Sequence, residues 1–346
     1  MKKFIQTCAL FFLAFCATQL VWNMLFLKNI GIPYAHNIRF STKYVHYLKK
    51  EKEYNTLFLG SSRTYRQINP AIIDADMQDV KMKSYNLGAP GTFNPEALYL
   101  FEMIMENTSA DSPLRYVFVE LTELSPMKFE NWFAPQSYYY LDKRYTRLVL
   151  DTYLSNPTLN TLEKAEKIFP FAQGFVLNHL FLIPPLEFRK EPDIYVGEKM
   201  DGYYPLDLEL EQTGRNRLLQ RNKSLLRDTS VLAQRKLVQK KPAGAYIPTA
   251  YAAFLNDLVT EAGKHKLELY FIIPPKLKTY REVSRLAENI HGNRVIDLGN
   301  GEQYPAFYFA KYCFNEGHFN HLGAEMYSRI LAEEIRKKLG QPLHPK

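Results

Sequence analysis

Apolar and polar positions along the chain fall into three regimes. From Phe4 to Leu27 the sequence carries no charge, with Lys2 and Lys3 before the run and Lys28 after it. At ~1.5 Å per residue this run makes a helix of ~36 Å, enough to cross a bilayer. Short apolar runs at 54–59, 116–121, 267–273 and 294–298 have the length and composition of buried strands. Helical periodicity over 95–106, 249–265 and 322–339 separates or follows them. Strands alternating with helices predict the α/β class, with a parallel sheet covered on both faces. The stretch from about 127 to 245 breaks the alternation. It holds an aromatic cluster (Trp132, Phe133, Tyr138, Tyr139, Tyr140), then Pro184-Pro185, then a basic run from Arg215 to Lys241 opposed only by Asp228. No internal repeat is present. The predicted organisation is a membrane anchor over 1–28 and a body over 50–346, interrupted by a helical and aromatic insertion at about 127–245.

A cleaved signal peptide is the competing reading of the first run. Its apolar core normally spans only 7–15 residues. Here Val21, Trp22, Met24, Leu25 and Phe26 continue past the small residues Ala14 and Ala17, and Phe15 before Cys16 spoils a lipoprotein site. An uncleaved anchor is therefore expected. Arg39, Lys43, Lys49, Lys50 and Lys52 outnumber Lys2 and Lys3, so a simple positive-inside count would put the body in the cytoplasm. A long folded domain, however, translocates largely regardless of its charge.

Composition narrows the function classes. With 46% hydrophobic and 23% charged residues, the 346-residue chain can bury a sizeable core and is not a disordered polymer. A formal charge of +8 permits a polyanionic partner, yet no zinc-ligand spacing or RNA-binding signature accompanies it, so nucleic acid is not expected. The basic run reads either as a solvated helical face or as a docking surface for a polyanionic polymer or lipid headgroups. Cys8 and Cys16 lie in the apolar run and Cys313 stands alone, which excludes a disulfide framework and a thiol-based metal site. The histidines show no paired ligand spacing beyond His318 and His321, and no metal or organic cofactor is expected.

In open parallel sheets, ligands meet the loops at the carboxyl ends of the strands. Three polar segments are candidates for such loops: Gly60-Ser61-Ser62-Arg63, Asn86-Leu87-Gly88-Ala89-Pro90-Gly91, and Asn315-Glu316-Gly317-His318-Phe319-Asn320. A serine and a histidine gathered at one sheet edge point to nucleophilic chemistry, so Ser62 and His318 are predicted to come within hydrogen-bond reach of each other. Structural alternatives stand beside each assignment. Ser62 and Asn320 could cap the helices that follow them. Gly88 and Gly91 could serve only the backbone, Arg63 could brace the sheet edge or contact an anion, and His321 rivals His318. Glu120, Glu123 and Asp297 lie at or just after strand ends and could supply an acid.

In order and approximate placement, over roughly 54–126 and 265–340, these segments resemble the blocks of the SGNH (GDSL-type) hydrolase superfamily. The resemblance implies a three-layer α/β/α, flavodoxin-like sheet. It further implies Ser62 as nucleophile in a first block with Ser61 in place of the usual Asp, and Gly88 as an oxyanion donor in a second block opening at Asn86. His318 is similar to the general base, with Asn315 at the place of the acid. Two departures stand out: Thr122-Glu123 replaces the usual Gly-x-Asn-Asp, and Asn315 replaces Asp. The anchored layout looks most like extracytoplasmic SGNH-like proteins of bacterial envelope-polymer modification. An ester hydrolase or O-acyltransferase acting on an acylated polysaccharide or other envelope glycan is implied, at a membrane and with the body outside the cytoplasm. The departures favour a second possibility, a non-catalytic glycan-binding or assembly protein that keeps the fold.

Overall fold

A computed structural model describes residues 2–26, 38–124, 140–180, 200–238, 246–275 and 281–341. Of the segments singled out above, Leu27, Lys28, Trp132, Phe133, Tyr138, Tyr139, Pro184-Pro185, Lys240 and Lys241 lie outside the described residues. The chain divides into two compact units, residues 1–41 with 126–190, and residues 42–125 with 191–346. The stretch expected as one insertion is thus shared: its first half belongs to the smaller unit and its second half to the larger.

The smaller unit is helical. Helix α1 (Lys2–Phe26) contains a window of mean hydropathy 1.8 that is only 6% buried, and it is long and apolar enough to cross a membrane. Helices α6 (Lys143–Leu154) and α7 (Thr161–Leu180) pack on each other, and α1 runs against α7. Asp142 starts α6 by accepting the Tyr145 N–H at 2.9 Å, an N-cap that satisfies one of the amides a helix leaves open.

The larger unit is α/β. Five parallel strands, β1 (Thr56–Leu59), β2 (Ser84–Asn86), β3 (Tyr116–Glu120), β4 (Glu268–Ile273) and β5 (Val295–Asp297), lie in the order β2-β1-β3-β4-β5. Successive residues of a strand face opposite sides, and β1 to β4 are buried almost continuously, so both faces of the sheet are covered. Phe58, Phe118 and Tyr270 are in register on three neighbouring strands, and their rings stack with both centroid distances 5.2 Å. This ladder ties the centre of the sheet together. The four strands read from apolar runs are present with trimmed ends. Strand β2 was not expected as a strand, because Ser84-Tyr85-Asn86 is too short and too polar to carry an alternation.

The remaining helices are α2 (Ile38–Lys49), whose first four residues fall in the smaller unit, α3 (Ser62–Gln67), α4 (Pro70–Asp76), α5 (Glu96–Asn107), α8 (Leu206–Thr213), α9 (Asn216–Arg227), α10 (Ser230–Val238), α11 (Thr249–Lys264), α12 (Arg281–Leu286) and α13 (His321–Lys338). A two-stranded antiparallel ribbon, β6 (Cys313–Asn315) and β7 (His318–Phe319), precedes α13. Helix α13 buries Tyr327, Leu331, Ala332 and Ile335 along one face. At its N-terminal half the Ser328 hydroxyl accepts the Asn69 N–H at 2.9 Å, and at its C-terminal half Arg336 pairs with Asp79 at 2.6 Å. These contacts dock α13 on the α3–α4 corner, which brings the ribbon preceding α13 over the start of α3.

Candidate active site

The chain leaves β1 to one side for β2 and to the other for β3, so the carboxyl ends of β1 and β3 flank the point where strand order reverses. Crevices at such points are where parallel sheets receive ligands. Glu120, the last residue of β3, is 3% exposed and projects into this point beneath the β1–α3 turn. Its carboxylate accepts from the Ser61 N–H (2.8 Å), the Ser61 hydroxyl (2.8 Å), the Thr64 hydroxyl (3.0 Å), and Nε and Nη2 of Arg63 (3.0 and 2.8 Å). Burial alone would raise the pKa of Glu120, but the Arg63 charge and the Ser61 hydrogen bonds outweigh it and hold the carboxyl below its ordinary value. Such an approach requires Gly60: a Cβ there would sit 2.5 Å from Glu120 Cβ and 2.3 Å from Thr64 Oγ1.

The carboxylate fixes which serine does what. Ser61 is the N-cap of α3, its hydroxyl accepting the Arg63 N–H at 3.2 Å. The capping role considered for Ser62 therefore belongs to its neighbour. Ser62 occupies the first helical position, where the N–H has no intrahelical acceptor, and its Oγ lies 2.9 Å from Nε2 of His318 across 256 residues of sequence.

His318 in turn rests on Asn315, whose Oδ1 is 3.0 Å from the imidazole Nδ1. The same Oδ1 accepts the Gly317 N–H at 2.8 Å, which identifies that atom as the amide oxygen. An oxygen there can only accept, so Nδ1 carries the proton and Nε2 turns its lone pair toward Ser62. Burial, followed by the charges of Arg63, Arg66 and Arg221, pushes the His318 pKa down to about 3, with Glu120 opposing. The imidazole is thus neutral, in the tautomer a general base requires, throughout the physiological range.

The second loop behaves differently from its expected role. Asn86 is fully buried and staples the backbone: its Nδ2 donates to the carbonyls of Thr64 (2.7 Å) and Ile68 (2.8 Å), and its Oδ1 accepts the Gly88 N–H at 2.9 Å. The Gly88 amide is engaged inside the protein rather than offered to a ligand. Gly88 is needed at that position because a Cβ would meet the Tyr65 amide nitrogen at 2.5 Å. Its carbonyl accepts from Lys43, fully buried on α2, at 2.6 Å.

Other sequence candidates lie apart from the pair. His321 is exposed on α13, with Nδ1 3.6 Å from Asp207. Asn320 caps α13, accepting the Gly323 N–H at 2.9 Å. Asp297 binds the Gly299 N–H at 2.9 Å. Thr122 accepts the Asn94 N–H at 3.1 Å, and Glu123, also after β3, is partly buried. Among the described residues no group of three His, Cys, Asp or Glu side chains is arranged to hold a metal ion.

Three contributors were not placed by sequence reasoning: the Glu120 hub, Lys43 under Gly88, and Arg66, which is buried against Glu209 and the Tyr204 carbonyl. For Glu120 a signal existed, a carboxylate closing the otherwise apolar strand Tyr-Val-Phe-Val-Glu. Neither a family model nor a curated protein matches the sequence.

Proposed function

We propose that the chain is a membrane-anchored, SGNH-like ester hydrolase or O-acyltransferase of flavodoxin-like three-layer α/β/α architecture, acting on an acylated cell-envelope glycan. The carrying observation is the linkage Ser62 Oγ–His318 Nε2 at 2.9 Å with Nδ1 pinned on Asn315 at 3.0 Å. The strand order β2-β1-β3-β4-β5 and the site's place at the order reversal support the same reading.

In this reading Ser62 Oγ attacks the acyl carbonyl carbon while its proton passes to His318 Nε2. The carbonyl oxygen, now negative, meets the Ser62 N–H. The charge of Arg221, which disfavours a protonated imidazole, favours this oxyanion by the same Coulombic logic, whereas that of Arg63 is largely offset by Glu120. Collapse breaks the ester C–O bond, and His318 returns the proton to the departing sugar hydroxyl. Water or a second sugar hydroxyl then repeats the sequence on the acyl-serine, releasing the acid or a new ester. Arg63 is a positioning residue in this scheme, holding the α3 turn through Glu120. The test is acetyl release from a model ester by the full chain in detergent. Release that falls to background in Ser62→Ala supports the scheme, and equal release from both proteins sinks it.

The second reading, an inactive glycan-binding or assembly protein, is favoured by one feature of the site: the Gly88 amide, a donor in an active oxyanion pocket, is occupied by Asn86. It predicts no Ser62-dependent release from any ester.

We further propose that α1 anchors the chain with the larger unit outside the cytoplasm, as the resemblance to extracytoplasmic envelope proteins suggests. Cys313 is a poor reporter of sidedness, because burial pushes its thiol up to about 12. A cysteine replacing exposed Lys264 on α11 serves better. In intact cells a membrane-impermeant maleimide should label Lys264→Cys. Labelling only after the cytoplasm is opened would reverse the assignment.

A further inference from the structure

Of the three guanidinium groups whose charge reaches His318, two are already matched. Arg63 pairs with Glu120 at 2.8 Å, both largely buried. Arg66 is buried against Glu209 and lies over the Tyr65 ring at 4.3 Å. Arg221 is different: it is exposed on α9, and among the described residues no carboxylate pairs with it. The helix that carries it is nonetheless fixed. The adjacent Asn222 donates from Nδ2 to the Phe314 carbonyl at 2.8 Å, which fastens α9 to β6, and Leu225 one turn on is buried in the core. Phe314 immediately precedes Asn315 on β6, so the backbone of Arg221 is held next to the strand that carries Asn315, on which the base rests.

We propose that Arg221 is a substrate-contacting residue that selects an anionic glycan, one bearing carboxylate or phosphate, for the Ser62–His318 site. This rests on the reading of that pair as an ester-processing centre. An arginine fork suits either oxyanion through paired N–H donors. Among the described residues no carboxylate neutralises the charge it offers, so an anionic substituent near the scissile ester gains an interaction that a neutral sugar cannot make. The other basic residues of α9 do not form a lipid-facing sheet of charge with it. At 100° per residue, Arg217 lies on the same flank as Arg221, but Lys223 and Arg227 point to other sides of the helix.

The full-length protein in detergent is assayed on three O-acetylated oligosaccharides of equal length: one carrying carboxylates, one carrying phosphates and one neutral. The ratio of kcat/KM for an anionic substrate over the neutral one is expected to fall at least tenfold in Arg221→Glu, with Arg221→Gln between, and to fall with added salt in the wild type. Calorimetric binding of the deacetylated oligosaccharides to Ser62→Ala and to Ser62→Ala/Arg221→Glu supplies a readout independent of turnover, with at least a tenfold weakening expected for one anionic ligand. The arm that responds identifies the substituent. Loss of binding in the Arg221 variant without any Ser62-dependent acetyl release would overturn the catalytic reading and leave the anion contact standing. Unchanged ratio and unchanged binding would overturn the proposal. A variant impaired only toward vesicles of anionic phospholipid, not toward the oligosaccharides, would also overturn it and assign Arg221 to a membrane surface.

Discussion

Glu120→Ala is expected to destabilise the larger unit by about 3–5 kcal/mol, the usual cost of removing one partner from a buried ion pair. The carboxylate is the common acceptor for Ser61, Arg63 and Thr64, and Arg63 left behind would be a charge only 13% exposed with no counter-ion. Urea unfolding of the detergent-solubilised protein measures the loss. A change below about 0.5 kcal/mol would mean that the hub contributes nothing beyond an ordinary surface site. Removing both charges in Glu120→Gln/Arg63→Gln should recover part of the loss, because no unpaired ion then remains buried.

The pH dependence has a definite sign. Because the folded-state pKa of Glu120 lies below the ordinary 4.5, its contribution is present in full above 4.5 and is lost as pH falls through the lower folded value. The wild type should therefore lose stability more steeply on acidification below 4.5 than Glu120→Gln, which carries no titrating group there. Activity should suffer separately from stability. Freed from its tether, the α3 turn no longer registers Ser62 Oγ against His318, so kcat should fall more than KM rises.

The hub also marks where sequence reasoning stopped. The approach of Ser62 and His318 was legible because both segments lie where a parallel sheet gathers its loops at one edge, while Asn315 was singled out only by what the resemblance implies. A carboxylate ending an apolar strand was visible too, but its ligands lie 56 to 59 residues earlier in the β1–α3 turn and on α3, and nothing in the linear pattern sets which way the side chain turns. Gly88 was misjudged for a related reason. The resemblance implied an oxyanion loop, but an Asn-x-Gly spacing equally suits an asparagine that closes a turn onto the glycine amide, and the structure holds that arrangement. The mixed allegiance of 127–245 was hidden because amphipathic helices such as α7 and α9 carry no mark of which core they serve.

Asn315→Asp should raise the rate of an active site built this way and move its acid limb to higher pH. In the wild type the base is neutral and weak: burial, with the arginines behind it, pushes the His318 pKa down to about 3, and Asn315 orients the ring without charge. The acid limb of kcat/KM should therefore fall well below the ordinary histidine value of 6.5. A carboxylate at the same 3.0 Å contact still accepts Nδ1–H and the Gly317 N–H, so the tautomer is kept while the imidazolium gains a counter-charge. An opposite charge at this range shifts a pKa by roughly 1–3 units, here upward. The limb should rise by that amount, and the neutral-pH rate should increase roughly three- to thirtyfold if about half of the added basicity is expressed in the transition state. Because the shifted value still lies below 7 in this range, the stronger base remains unprotonated at neutral pH. Comparing pH–rate curves of wild type, Asn315→Asp and Asn315→Asp/Ser62→Ala decides the matter. A gain that vanishes with Ser62 supports the Ser62–His318 linkage. A gain that survives loss of Ser62 assigns the chemistry to another group, and an unmoved acid limb means that His318 is not the base.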